Sequence, residues 1–343
     1  MSGFKKHINI PVFIPHLGCP NNCVFCNQRS ISGKKEFSAE SVIPEIEEAL
    51  STVRPEQEAE IAFFGGSFTG IDRELMISLL DIGQKYIDGG KVSGMRLSTR
   101  PDYISPDIIE ILSRYGVKTV ELGIQSMDEK VLEASKRGHT TEQTEMACKL
   151  VKDAGFTLIG QMMVGLPGAD VESEKMTARK ICEMGADGAR VYPTVVFYET
   201  ELCEMSKQGS YIPLRETDAV ERTKEVLKVF DLYDVPCIRV GLCASENLSS
   251  EEAVYGGANH SAIGEMAIGE IFYEKMDKLI SELSPQEIEK RERRLVFAVS
   301  KGSTSKAIGQ KRKNVIRLCD KYSLLSIKIV EKSLIIGYNI KIE

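Results

Sequence analysis

Residues Gly94–Ser126, GMRLSTRPDYISPDIIEILSRYGVKTVELGIQS, decide the fold. GMRLSTRPD reads as a strand, SPDIIEILSRYG as an amphipathic helix, and VKTVELGIQS as a second strand entered through Tyr-Gly. A helix between two strands requires a parallel crossover rather than a hairpin. The same alternation extends in both directions. AEIAFFGG is a strand running into a glycine turn and DRELMISLLDIGQKYI the helix after it. Beyond MDEKVLEASKRG and TEQTEMACKLVKDAG come the strand FTLIGQMMVGLPG and the helix DVESEKMTARKICEMG. ADGARVYPTVVF then supplies a strand and RETDAVERTKEVLKVFDLYDV a helix.

Ala-Gly, Tyr-Gly or Met-Gly before the strands marks repeated βαβ units. With a first strand near INIPVFIPHLG, about six units are expected, in a partial (β/α)6-type TIM-like barrel rather than a doubly wound sheet. The segments after the strands then converge on one mouth: the cysteine loop after the first strand, GGSF, STRPD, GIQS and GLPG. Past Val240 the pattern changes. We expect residues 1–240 to form the barrel, 241–284 a helical extension closing it, and 285–343 a small α/β domain.

The chain has 343 residues, 42% hydrophobic and 27% charged, which is ordinary for a globular protein. A formal net charge of −6 argues against attraction to nucleic acid over the whole surface, so such a partner needs a local basic patch. MSGFKKHINI lacks the apolar region of a signal peptide, and no apolar run is long enough to span a bilayer. A cytoplasmic protein is expected.

Nine cysteines in such a chain read as thiols or metal ligands rather than a disulfide framework. Cys148, Cys182, Cys203, Cys237, Cys243 and Cys319 are scattered, but Cys19, Cys23 and Cys26 are clustered as C-x3-C-x2-C. Four thiolates close a tetrahedral zinc site, whereas three on a four-iron cluster leave one iron open. The spacing leaves a zinc site completed by His16 or a distant Cys, and three unrelated thiols, as alternatives. In FFGGSFTG, Gly65 and Gly66 permit close backbone approach to a ligand and Ser67 adds a hydroxyl; taken alone, the segment reads first as a tight strand–helix turn.

The cysteine stretch, with Phe25 before its last cysteine, resembles the signature of the radical S-adenosylmethionine (radical SAM) superfamily. The resemblance implies a 4Fe–4S cluster on Cys19, Cys23 and Cys26, with SAM chelated to the open iron. It also implies a GGSF segment (Gly65, Gly66, Ser67) holding the SAM amino group, and an electron donor such as ferredoxin or flavodoxin. STRPDYIS, VELGIQSMDEKVL, KRGHT, GQMMVGLPG and RVYPTVVFYETELCEMSKQGSY resemble the radical SAM domain of the Elongator catalytic subunit and its shorter bacterial relatives, over residues 8 to 275. This implies SAM or substrate contacts at Gln125, Ser126 and Arg137; His139 reads either as a proton-transfer group or as a packed or surface His.

Arg100 and Tyr192 fall at strand ends, where a mouth contact competes with plain surface or core roles. Ser98 stands where the Elongator proteins usually carry an acidic residue, and the first two cysteines are closer together than theirs. No acetyltransferase domain is expected, so the wobble-uridine chemistry of Elongator does not carry over whole. Cys243 is expected as a buried thiol or a mouth group, and His260 as a structural cap.

Six basic and no acidic residues lie between Lys301 and Arg317. The order of elements resembles a KH domain, whose G-x-x-G loop clamps single-stranded nucleic acid. Here the loop reads Gly309-Gln310-Lys311-Arg312, without the second glycine. Lys306, Lys311, Arg312, Lys313 and Arg317 are the candidate RNA contacts, with a solvated basic helix face as the alternative. The expected function is radical SAM modification of RNA, with tRNA the first candidate. A small-molecule radical SAM enzyme and a non-enzymatic Fe–S RNA-binding protein compete with it.

Overall fold

A computed structural model describes residues 6–14, 23–26, 37–242 and 253–343. Cys19, Cys243 and His16 lie outside these residues. The chain first lays down β1 (Lys6–Ile14), β2 (Gln57–Gly65), β3 (Gly94–Thr99), β4 (Val117–Gln125), β5 (Thr157–Val164) and β6 (Gly188–Pro193). The short β7 (Val195–Phe197) and then β8 (Cys237–Val240) follow. One parallel sheet runs in the order β1-β2-β3-β4-β5-β6-β8. Its edges, β1 and β8, do not pair with each other among the described residues, so the sheet is open.

The expected partial barrel is therefore present, with seven strands rather than six units. β8, CIRV, is only four residues long and incompletely buried, so its apolar signal is weak. RVYPTVVF also divides in two. Pro193 has no N–H to continue the ladder and ends β6, after which β7 pairs antiparallel with β9 (Val254–Gly257).

The two faces of the sheet differ in kind. Ile61, Phe63, Leu97, Val120, Leu122, Leu158 and Val191 share one apolar core with Leu79, Leu80, Leu112, Val151, Ile181 and Phe230 of the surrounding helices. Each such fully buried side chain contributes about 1.5–3 kcal/mol. The alternate positions carry Asn9, Arg96, Glu121 and Arg190. Arg190 on β6 lies 5.7 Å from the ring of Phe64 on β2. In a flat sheet those strands would stand roughly 19 Å apart, four spacings of about 4.8 Å. The polar face must therefore curl inward, and it becomes the barrel lumen.

Glu121, 2% exposed, holds this lumen together by pairing with Arg96 at 2.5 Å and Arg190 at 2.9 Å. Arg96 also donates to Asn9 at 3.4 Å.

In the tail, β10 (Arg294–Val299) pairs parallel with β11 (Ser326–Glu331) and antiparallel with β12 (Ile340–Ile342). Two helices, Thr304–Ile308 and Lys313–Tyr322, connect β10 to β11. The helix Ile263–Ser281 is shared between two cores. Its Ile263, Ala267 and Ile271 pack on Val220 and Leu227 of the helix Glu216–Leu232. Its Phe272, Met276 and Ile280 pack with Leu295, Phe297 and Leu318 of the tail. No helix among the described residues is long and apolar enough to cross a membrane.

Candidate active site

A cavity of about 180 Å³ opens at the C-terminal ends of the parallel strands. Cys23, Phe25 and Cys26 enter it from one turn, and Gly65, Gly66 and Ser67 from the end of β2. Ser98 and Thr99 come from β3 and Arg100 from just after it, Gly123 and Gln125 from β4, and Gln161 and Met163 from β5; Arg137 completes the wall. Convergence of this kind is what a parallel barrel imposes on the residues that follow its strands.

Backbone bonds at both sides hold the cysteine turn. Val24 donates to Ser135 O at 3.2 Å, and Leu202 donates to Val24 O at 2.8 Å. The Val24 side chain, 1% exposed, is buried with Val196, Leu202 and Cys203. Cys26 N donates to Cys23 O at 3.0 Å, which turns both thiols toward one cavity.

Gly65 has φ +108°, and a Cβ there would lie 2.3 Å from Ile14 O, so only glycine fits beside β1. Gln125, 6% exposed, sits at φ +66° where the β4–β5 register shifts. A non-glycine residue in this left-handed region is strained, and such strain gathers at functional sites. Gln161 Nε2 donates to Gln125 Oε1 at 3.4 Å, joining two amides on the cavity wall.

The charge beside Cys23 is cationic. Arg137 donates from one terminal nitrogen to Cys23 Sγ at 3.5 Å and from the other to Gly123 O at 2.6 Å. Burial pulls the pKa of Arg137 down, and Cys23 pulls it back up. Arg100 reaches toward the same sulfur at 3.9 Å, donates to Arg137 O at 2.6 Å, and grips Asp102 with two bonds of 2.9 Å.

These residues fit the implied cluster. Soft thiols share a cavity, and guanidinium groups offset the negative charge of thiolate ligands. Among the described residues, no His and no further Cys lines this cavity to complete a zinc site there. Cys148, Cys182 and Cys203 are buried elsewhere, and burial pushes the first two thiols up to about 12 and about 11.

Other candidates are placed differently. Ser126 does not line the cavity; its hydroxyl accepts from Asp128 N at 3.1 Å in the turn after β4. His139 also lies off the cavity and is 3% exposed. Burial first, and the Arg137 charge second, push its pKa down to about 3. At neutral pH the ring is neutral.

That depressed value sets a pH dependence. In the unfolded chain His139 takes a proton below about pH 6.5, whereas the folded protein resists it down to about 3. Stability contributed by the neutral ring is complete above 6.5 and falls toward pH 3 by about 1.4 kcal/mol per unit. His139→Leu is expected to flatten this slope between pH 6.5 and 4, as read by urea denaturation of both proteins.

His260 is a structural cap, accepting from Ala262 N at 3.1 Å on its Nδ1 before the helix Ile263–Ser281. Tyr192 is half-buried in the lumen beside Arg190, 3.4 Å from its guanidinium, and does not line the cavity. In the tail, Arg317 is committed inside the fold. It pairs with both carboxylate oxygens of Glu270 at 2.8 Å and stacks 3.6 Å from the Tyr273 ring. Lys313 also faces Glu270, at 3.5 Å. Residues 301–317 alone do not reveal this acid, because Glu270 lies on a helix earlier in sequence. Lys306, Lys311 and Arg312 make no ion pair among the described residues. Arg312 occupies the position of the missing second glycine and adopts the left-handed conformation glycine would ease, φ 63°.

Gln161 and Met163 of β5 lie outside the expected mouth segments. Polar residues alternating within parallel strands, which otherwise read as continuous apolar runs, were the available signal.

The radical SAM superfamily model matches residues 13–181, and the radical SAM C-terminal domain model matches residues 186–272. The chain is 33% identical to the tRNA uridine(34) acetyltransferase of Methanocaldococcus jannaschii over 196 residues, 51% of this chain and 36% of that protein. It is 34% identical to Elongator complex protein 3 of Homo sapiens over 140 residues, 40% of this chain and 26% of that protein. The chain thus spans about a third of the length of these curated relatives. Among solved structures, archaeal Methanocaldococcus infernus Elp3 with an N-terminal deletion aligns with a TM-score of 0.61 at 24% identity, covering 80% of this chain and 63% of that one, a likeness of fold.

Proposed function

The chain belongs to the radical SAM superfamily, and on that premise we propose that it is an RNA-modifying enzyme, with tRNA as its substrate. In this reading Cys19, Cys23 and Cys26 hold a 4Fe–4S cluster, and Gly65, Gly66 and Ser67 hold the amino group of SAM. Cluster and SAM together supply a one-electron cleavage of SAM to methionine and a 5′-deoxyadenosyl radical that takes a hydrogen atom from substrate. A ferredoxin or flavodoxin is the proposed electron donor, and the cytoplasm the proposed compartment.

The chain's own residues do the positioning. Gly66 leaves room for a ligand to approach the backbone, and Ser67 offers a hydroxyl at 5% exposure. Gln125 and Gln161 present amide groups on the opposite wall, and Phe25 presents an apolar face. Ser126 and His139 have no direct contact role in this reading. Residues 285–343 serve as an RNA handle, in which Lys306, Lys311, Arg312 and Lys313 meet phosphate by charge. Arg317 instead fixes the basic helix to the helix Ile263–Ser281.

The observation that carries the reading is the meeting of Cys23 and Cys26 with Gly66, Ser67 and Gln125 in one strand-end cavity. Similarity to a tRNA uridine(34) acetyltransferase points it toward tRNA. The test is mass spectrometry of tRNA nucleosides and small metabolites from cells lacking the protein. One modified nucleoside is expected to disappear and to return with the wild-type chain but not with a Cys23→Ala variant. An unchanged nucleoside profile beside an altered metabolite would replace RNA with a small-molecule substrate.

A further inference from the structure

We propose that Arg137, backed by Arg100 and opposed by Asp102, sets the reduction potential of the cluster; the inference rests on the cluster reading above. Arg137 is 7% exposed, yet it forms no ion pair with a carboxylate among the described residues. Its two terminal nitrogens are spent on Cys23 Sγ and Gly123 O. A buried guanidinium without a carboxylate is costly unless an anion stands beside it. The neighbour able to supply that charge is Cys23, as a ligating thiolate.

Reduction adds one negative charge to a cluster. A cation donating to a ligand sulfur stabilises the reduced form, so the potential rises. Arg100 adds a second cation 3.9 Å from the same sulfur and supports Arg137 through its carbonyl at 2.6 Å. Asp102 grips Arg100 from the side and offsets part of its charge. Arg137 and Arg100 therefore push the potential up, and Asp102 pulls it down. A purely structural role predicts no such opposition of sign.

The experiment is an anaerobic potentiometric titration of the full-length, iron-reconstituted protein, followed by the EPR signal of the reduced cluster. Arg137→Gln is expected to lower the equilibrium constant for reduction about tenfold, equal to about 59 mV for one electron. Arg137→Lys should restore most of that loss, and Asp102→Asn should shift the potential the opposite way. A cluster-loaded Arg137→Gln protein with the wild-type potential would overturn the inference. So would shifts of the same sign in Arg137→Gln and Asp102→Asn. Should Arg137→Gln fail to hold iron, Arg100→Gln against Asp102→Asn decides: opposite shifts support the inference, and equal or absent shifts overturn it. If the wild-type chain takes up no cluster, the functional reading itself fails, and this inference with it.

Discussion

Replacing any one of Cys19, Cys23 and Cys26 by alanine is expected to abolish the visible absorbance of the reconstituted cluster and most of its bound iron and sulfide. In the proposed three-thiolate arrangement, losing one ligand would leave two irons without a thiolate. No other cysteine lines the cavity among the described residues. Cys148→Ala is the matched control. That thiol is 1% exposed in the apolar core, and burial pushes it up to about 12, so it supplies no thiolate near neutrality. Iron and sulfide retained in Cys23→Ala would contradict the ligand assignment. Loss in Cys148→Ala would show that absorbance follows general stability instead.

The second large effect concerns the lumen. Glu121→Ala is expected to destabilise the protein by about 3–5 kcal/mol, the range for breaking a buried ion pair by removing one partner. Arg96 would remain buried and Arg190 half-buried, with the carboxylate that neutralises them gone. Equilibrium urea unfolding reads this as a lower midpoint with an unchanged slope. Glu110→Ala serves as the control: its pair with Arg114 is solvent-exposed on both sides, and no measurable loss is expected. A Glu121→Ala midpoint equal to wild type would mean that the curled sheet does not depend on this charge pairing.

Much of the fold was legible because parallel strands buried under helices are almost continuously apolar. Runs such as AEIAFFG and FTLIGQMMV stand out from the amphipathic helices beside them. The signal fails where a strand is short, as in β8, or where a proline breaks a run that otherwise looks continuous, as at Pro193. Of the cavity lining, Cys23, Cys26 and the Gly65–Ser67 turn could be picked out because each combines an unusual residue type with a strand-end position, while Gln125 was marked only by the family resemblance.

Three-dimensional partners could not be seen this way. Arg96, Glu121 and Arg190 sit on separate strands, 25 and 69 residues apart, and only curling brings them together. Arg137 could be picked out only through a resembling segment, and its bond to Cys23, 114 residues away in sequence, could not be read from it. Arg317 counted toward a basic patch until its partner Glu270, 47 residues earlier, entered the reckoning.

The most direct test of the central claim is to incubate the reconstituted full-length chain with SAM and dithionite and quantify 5′-deoxyadenosine. Formation well above that of the cluster-free Cys19/Cys23/Cys26→Ala protein is the expected result. No 5′-deoxyadenosine above that background, from protein verified to carry its cluster, would contradict the account.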